Sequence, residues 1–356
     1  MGVARTAGVE LRFNRPVTAV QAGGIRLYSA QRGLLATTIE VDSGRVVLKP
    51  ASGGFQAGEK VSVTVPRLHL DAADTLFQPQ TCQFTVAAGA GPAQFGSSQE
   101  VKLGKNVPAV TAADVNGDGN LDLLAANQGE QTISVQLNDG RGRFKTGSVA
   151  SINGFPSCVV TADMDGDGDL DLLSDGYDTL SVRINDGKGG FGGGSALPTK
   201  HGATDAAVAD VDGDGDLDAL TACNRDNVVD VLLNDGKGEF GKAVSVAVGK
   251  HPQMVVTADV DGDGDIDLLT VNEADNTVSV RVNDGHGGFS DHGEVPVGKY
   301  PVSLDIADVN GDHYVDVLTA NSGSGTVSVR RGDGRGGFSQ QEEVAVGLAP
   351  KSVVAA

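Results

Sequence analysis

The sequence predicts an all-β chain: a β-sandwich over residues 1–88, a linker at 89–94, and a row of β-propeller blades over 95–356. Three observations carry this prediction. An acidic nine-residue loop recurs at Asp114, Asp163, Asp210, Asp259 and Asp308, with gaps of 49, 47, 49 and 49 residues. A fixed period of that size marks a repeat architecture whose units bury their cores against one another. Each period holds four short apolar or alternating runs, which matches a four-stranded propeller blade. Asn-Asp-Gly turns recur at Asn138, Asn185, Asn234 and Asn283. Such turns need positive φ and join alternating strands as hairpins.

The first segment lacks the repeat. Its apolar residues alternate in short runs: Val9, Leu11 and Phe13; Ile25 and Leu27; Val61, Val63 and Val65; Phe84 and Val86. Period-two runs separated by Gly and Pro clusters predict a sandwich of short strands. Ala87 to Gln94 is small and flexible, a natural linker.

From Phe95 onward one unit repeats, opened by Phe95, Phe144, Phe191, Phe240, Phe289 and Phe338. An apolar strand follows and ends in Ala-Asp, with Ala113, Ala162, Ala209, Ala258 or Ala307 before the loop. A small side chain there suits a crowded innermost strand. After the loop comes a short apolar strand, then an alternating one, such as Val278, Val280 and Val282. Helical periodicity is absent throughout.

The loops hold the chemistry. In the third, carboxylates stand at loop positions one, three, five and nine: Asp210, Asp212, Asp214 and Asp218. The carbonyl of Asp216 at position seven fills a further gap, and Gly215 at position six permits the sharp bend. An all-oxygen donor set of this size suits calcium better than magnesium, which dehydrates reluctantly. Leu121, Leu170, Leu217, Ile266 and Val315 at position eight are expected to anchor each loop in the blade core. An EF-hand is excluded, because position twelve is Ala125, Ser174, Thr221, Thr270 or Thr319 rather than glutamate, and the flanks are β.

Charge supports the same reading. The loops carry 21 of the 47 acidic residues and no Lys or Arg, leaving 26 acids against 27 bases elsewhere. The net charge of −20 therefore belongs to the loops, and five divalent cations would cancel about half of it. No basic stripe points to nucleic acid, and no apolar run is long enough for a membrane span. The three cysteines, Cys82, Cys158 and Cys223, have no zinc spacing and read as small buried side chains.

The loops, the Asn-Asp-Gly turns and the pairs Phe95-Gly96, Phe191-Gly192 and Phe240-Gly241 resemble the FG-GAP/VCBS repeat family over residues 95–356. That family forms the calcium-binding propeller of integrin α-chains and of many bacterial surface proteins. The stretches "VELRFNRPV" and "FQAGEKVSVTV" of the first segment resemble a bacterial Ig-like domain. The family's metal ligands carry over as Asp114, Asn116, Asp118, the Asn120 carbonyl and Asp122 in the first loop. The second loop offers Asp163, Asp165, Asp167, the Asp169 carbonyl and Asp171; the fourth, Asp259, Asp261, Asp263, the Asp265 carbonyl and Asp267. The fifth offers Asp308, Asn310, Asp312, the Tyr314 carbonyl and Asp316. It departs from the pattern with His313 at position six, where a side chain at positive φ is costly, and is expected to bind most weakly.

The resemblance implies a secreted or cell-surface adhesion or scaffold protein, non-catalytic, stabilised by about five calcium ions, whose partner is an extracellular protein or glycan. Its alternatives are a lectin-like propeller, since some relatives bind sugars between blades, and an accessory module of a larger extracellular enzyme. The chain offers few aromatic platforms for sugar, with no Trp and four Tyr. His69, His201, His251, His286, His292 and His313 form no catalytic motif. Arg331-Gly332-Asp333 spells an adhesion tripeptide but occupies a hairpin turn. Asn127 to Gln131 and Asn321 to Gly325 are expected contact loops. The closing stretch "APKSVVAA" aligns with "FPSCVVTA" before Asp163, so the chain is expected to be part of a larger propeller.

Overall fold

A computed structural model describes residues 8–13, 17–22, 25–29, 32–43, 45–50, 54–55, 60–65, 68–69, 76–77, 80–85 and 100–355. The linker expected at 89–94, Val86 and the Phe95-Gly96 pair lie outside them.

In the first segment two antiparallel sheets share one core. One pairs Val9–Arg12, Arg45–Pro50 and Thr37–Asp42; the other pairs Gly33–Leu34, Arg26–Ser29, Lys60–Val65 and Gln80–Thr85. Ile25, Leu27, Val46, Leu48, Phe55, Val61 and Val63 are buried between them, with Val9, Leu11 and Phe13 packed alongside. Ala19–Ala22 forms a four-residue helical turn, which the alternating pattern did not anticipate.

Five antiparallel sheets follow, each a simple meander. Sheet one runs through Ala109–Ala113, Asp122–Asn127, Thr132–Asn138 and Phe144–Ser151. Sheet three comprises Ala203–Ala209, Asp218–Cys223, Val228–Leu232 and Val244–Ala247. Sheet four comprises Pro252–Ala258, Asp267–Asn272, Thr277–Asn283 and Phe289–Pro296, and sheet five Pro301–Ala307, Asp316–Asn321, Thr326–Gly332 and Phe338–Ala345. Sheet two has Val160–Ala162, Asp171–Asp175 and Thr179–Asn185, but its outer strand is split into Phe191–Gly192 and Ala196–Pro198 by Gly193 and Gly194 at positive φ. The repeated phenylalanine therefore belongs to the outer edge of a sheet rather than to its start: Phe144, Phe191, Phe289 and Phe338 open outer strands, and Phe240 makes an isolated bridge to Asn234 ahead of Val244–Ala247.

The cores lie between sheets. Loop position two and the residue two after position nine face forward; position eight and the residue after position nine face back. Val115 and Leu124 of sheet one thus meet Leu170 and Leu172 of sheet two, and Val260 and Leu269 meet Val317. The anchoring expected at position eight holds for Leu170 and Ile266, which are buried. It fails for Leu121, which meets no preceding blade among the described residues and is 36% exposed. The five alanines before the loops pair directly with the position-nine aspartates, from Ala113 opposite Asp122 to Ala307 opposite Asp316. A small residue is needed because the facing carboxylate is turned inward and buried.

Polar bonds tie the sheets in series. An inner-strand side chain accepts a backbone N–H from the segment after it in the row: Asp205 from Val255 at 3.1 Å and Met254 Sδ from Leu304 at 3.4 Å, both on the next inner strand, and Ser303 from Val353 at 3.2 Å, which lies outside any strand. On the third strand, Arg183, Arg281 and Arg330 each donate from Nε at 2.8 Å to an outer-strand carbonyl of the sheet before, at Ser151, Ala247 and Pro296. Cys158 and Cys223 are buried free thiols, as expected of them.

Candidate metal loops

Each acidic loop joins an inner strand to the second strand of its sheet, and a network of its own amides fixes its shape. In loop three, Asp210 accepts from Gly213 and Gly215, Asp212 from Asp214, and Asp214 from Asp216, at 2.8–3.2 Å. Loops two and four repeat the pattern through Asp163, Asp165 and Asp167, and through Asp259, Asp261 and Asp263. Each carboxylate so held keeps further lone pairs for a shared centre.

Position nine serves a second purpose. Asp122, Asp171, Asp218, Asp267 and Asp316 are fully buried. In each, Oδ2 accepts the amide of loop position two and Oδ1 an amide at the hairpin turn of the same sheet; for Asp171 these are Met164 at 2.9 Å and Asn185 at 2.8 Å. The turn asparagine adds a third tie. Nδ2 of Asn185, Asn234 and Asn283 donates to the position-eight carbonyl of its own loop and to the position-two carbonyl of the preceding loop, at Val115, Met164 and Val211. Loop, turn and neighbouring loop are thereby one assembly. Sequence reasoning treated these asparagines only as turn formers. The signal that could have shown more is that Asn precedes Asp-Gly at every turn but the fifth, where Gly332 stands.

Three loops bring carboxylates together. Ligand atoms of Asp163, Asp165 and Asp171 lie within 4.8 Å of one another, as do those of Asp210, Asp212 and Asp218, and of Asp259, Asp261 and Asp263. Asp167, Asp214 and Asp267 belong to the same loops but fall outside these tightest groups. Loops one and five, with Asn116 and Asn310 at position three, form no such carboxylate triad among the described residues. The position-seven side chains Asn120, Asp169, Asp216, Asp265 and Tyr314 lie against the turn glycines Gly140, Gly187, Gly236, Gly285 and Gly334.

Burial raises the proton affinity of these groups. It pushes Asp163 up to about 6, Asp171, Asp210 and Asp267 to about 7, and Asp218 to about 8, with neighbouring carboxylates adding to the effect. Asp263 rises to about 6, again mainly through burial. Asp308 goes the other way: desolvation opposes, but the amides of His313, Gly311 and Asp312 together hold it below the usual carboxylate range. His313 does adopt positive φ, at 77°, where Gly119, Gly168, Gly215 and Gly264 have 87–102°.

A hard divalent cation fits this arrangement. The donors are oxygens, they converge from one short loop, and their crowding in a buried setting is relieved only by protons or by positive charge. At Gly168 and Gly215 an added Cβ would meet nothing within 4 Å, so the glycines answer the backbone bend and not a steric wall.

A family profile described as FG-GAP-like repeat matches residues 114–174, 210–270 and 259–319. Each matched stretch starts on the first aspartate of one loop and runs through the next loop, so together they take in all five. The chain carries FG-GAP-like repeats. Solved structures agree on the propeller-like architecture that such repeats build. A functionally unknown protein from Desulfotomaculum acetoxidans is 12% identical, with 82% of this chain and 78% of that one covered at a TM-score of 0.54. A protein from Lactobacillus plantarum is 14% identical, covering 92% and 98% at 0.54. A proposed 6-phosphogluconolactonase from Bacteroides fragilis is 16% identical, covering 93% and 98% at 0.52. At these identities the likeness concerns the fold alone. No curated protein matches the sequence.

The FG-GAP-like repeats place the other sequence-predicted features as follows. His201 and His251 are exposed on the loops that lead into inner strands. Asn127–Gln131 and Asn321–Gly325 join second to third strands at the end of the sheets opposite the acidic loops. Asp333, of the Arg-Gly-Asp tripeptide, accepts the amides of Arg335 and Gly337 within its hairpin turn.

Proposed function

We propose that the chain is a secreted or cell-surface adhesion or scaffold protein in which calcium at the acidic loops rigidifies a non-catalytic propeller. The observation that carries this reading is the convergence of three carboxylates in each of loops two, three and four. The ligands would be the five positions named for each loop, and Asp308 would head the weakest site. The ion supplies charge neutralisation and a fixed loop shape. The chain supplies the rest: position-nine aspartates couple the loop to its turn, and the turn asparagines pass that order to the preceding blade.

The location follows from affinity. Extracellular calcium modules work at dissociation constants of about 10⁻⁴ to 10⁻³ M, so at roughly millimolar calcium each filled site adds about 0.5–1.5 kcal/mol. Cytosolic calcium would leave such sites largely empty. The first segment, with two sheets around one core, is proposed as an Ig-like spacer. The partner is proposed to be an extracellular protein or glycan.

Thermal unfolding with calcium and with EDTA tests the reading. A rise of several degrees with calcium, saturating near the millimolar range, is the expected outcome. Identical melting curves in the two buffers would overturn it.

A further inference from the structure

The third-strand guanidinium is neutralised in two blades and left without an acid in another. In blade four, Arg281 pairs with Asp291 through Nη1 at 3.0 Å and with Glu294 through Nη2 at 2.9 Å, and its side chain is 7% exposed. Glu294 also accepts the hydroxyl of Ser279, which lies opposite it, at 2.8 Å. Blade five repeats the arrangement: Glu343 accepts from Arg330 at 2.6 Å and from Ser328 at 2.7 Å. Blade two keeps the serine and the cation, as Ser181 and Arg183, but not the acids. Ala196 lies opposite Ser181, and Gly193 follows Phe191 at the spacing by which Asp291 follows Phe289. Nε and Nη1 of Arg183 donate to the Ser151, Val182 and Ser195 carbonyls at 2.7–3.1 Å. Its one side-chain partner among the described residues is Asn153 Oδ1, 3.2 Å from Nη2. Arg183 is also only half-buried, where Arg281 and Arg330 are buried. Burial, with no carboxylate to offset it, holds its proton affinity below the ordinary arginine range. Space lies on the same edge. Gly192, Gly193 and Gly194 line an open groove of about 690 Å³ with Phe191 and with Ser148 of blade one. An added Cβ at Gly193 would meet nothing within 4 Å.

We propose that Arg183 and Asn153, at the outer junction of blades one and two, bind the carboxylate of a ligand where blade four supplies its own from Glu294. The class of ligand is set by the sister blades, in which the same serine–arginine face is satisfied by a glutamate side chain. A planar guanidinium pairs with a planar carboxylate through directed N–H···O bonds, and the pairing strengthens where the cation is partly desolvated. Nη2 carries a second hydrogen beyond the one given to Asn153, and Asn153, with Oδ1 engaged, has Nδ2 as a further donor. The groove lined by Gly192 to Gly194 gives the rest of the ligand room. Two sources offer this chemistry: a free small carboxylate, and an aspartate or glutamate side chain on an extended peptide. The site does not depend on calcium at the acidic loops.

The experiment is NMR of the Arg183 Nε–H and Asn153 Nδ2–H groups in the full chain, titrated with sodium acetate against sodium chloride at constant ionic strength. Saturable shifts with acetate and not with chloride are expected. A blocked Gly-Glu-Gly peptide, with Gly-Gln-Gly as its control, forms the second arm. Tighter binding of the glutamate peptide than of acetate assigns the source to a protein, and the reverse order to a free carboxylate. Ala196→Glu restores the blade-four pair within the chain. It should weaken acetate binding by roughly tenfold or more and melt no lower than wild type. Absence of a saturable acetate shift, equal binding of the two peptides, or an Ala196→Glu chain that binds acetate as wild type does would overturn the proposal. So would an Ala196→Glu chain that melts lower, since the glutamate would then have no place beside Arg183.

Discussion

Asp218 holds the third loop against its own hairpin turn, Oδ2 accepting the Val211 amide at 2.9 Å and Oδ1 the Asn234 amide at 2.8 Å. The carboxylate is completely buried. Its role is therefore separable from that of Asp214, which is accessible and bonds only within the loop. Asp218→Asn places an amide donor where a second acceptor is needed, and should cost about 2–4 kcal/mol with or without calcium. Asp214→Asn should leave calcium-free stability nearly unchanged and lower calcium affinity. Denaturant unfolding in EDTA and in calcium distinguishes the two; equal behaviour of the variants would contradict the division of labour.

The pH dependence should invert on adding calcium. An unfolded aspartate titrates near 3.9, while burial raises Asp163, Asp171, Asp210, Asp218 and Asp267 to between about 6 and about 8. Between those limits the folded chain binds more protons than the unfolded one, so calcium-free stability must fall as pH rises. Calcium replaces the protons, so its stabilising effect should grow over the same window and its binding should release protons. Melting temperatures from about pH 5 to about pH 8 check this. A calcium-free form that becomes steadily more stable toward alkaline pH would rule out the buried-carboxylate account.

His313→Gly should help the fifth loop. His313 sits at φ 77°, a conformation glycine adopts without cost, while its amide to Asp308 at 2.9 Å does not depend on the side chain. Relief of about 1 kcal/mol is expected, with tighter binding at this loop in a calorimetric titration. Unchanged or weaker binding would show that the strain is not what limits the site.

Asn234→Ala should loosen two blades at once. Its Nδ2 serves the Met164 carbonyl at 2.8 Å and the Leu217 carbonyl at 3.0 Å, and both would lose a donor, at a cost of about 2–3 kcal/mol. The converse change, Gly332→Asn, would not restore the bridge in blade five. A Cβ there runs into the Val315 carbonyl oxygen. Hydrogen exchange should show faster opening on both sides of the blade two–three junction in the first variant, and in the second a local loosening confined to blade five.

Much of this was legible in the sequence, for a physical reason. Nine-residue spacing, glycine at positive φ and the Asn-Asp-Gly turns are local rules, and the loops and hairpins obey them. The strain at His313 followed from the same rule. What depends on packing between blades was hidden. Leu121 and Leu170 hold the same loop position, yet among the described residues only Leu170 packs into a preceding blade. The loop aspartates share one composition, but the burial that separates Asp218 from Asp214 arises from the strand opposite, at Ala209. The cross-strand pair Ser279–Glu294 of blade four appears in blade three with its chemistry exchanged, as Asp230 accepting from Ser245 at 2.6 Å. A carboxylate and a hydroxyl meet in both, and no single-strand pattern reveals that.

The inner-strand ladder has a consequence for how such a chain tolerates change. A carboxylate, a thioether and a hydroxyl, at Asp205, Met254 and Ser303, all perform one task, offering a lone pair to an amide of the segment that follows in the row. The junction thus asks only for an acceptor of suitable reach, and not for a particular partner. Tandem copies could be gained or lost there without a matching substitution elsewhere, so the number of blades is free to drift faster than the design of any one of them.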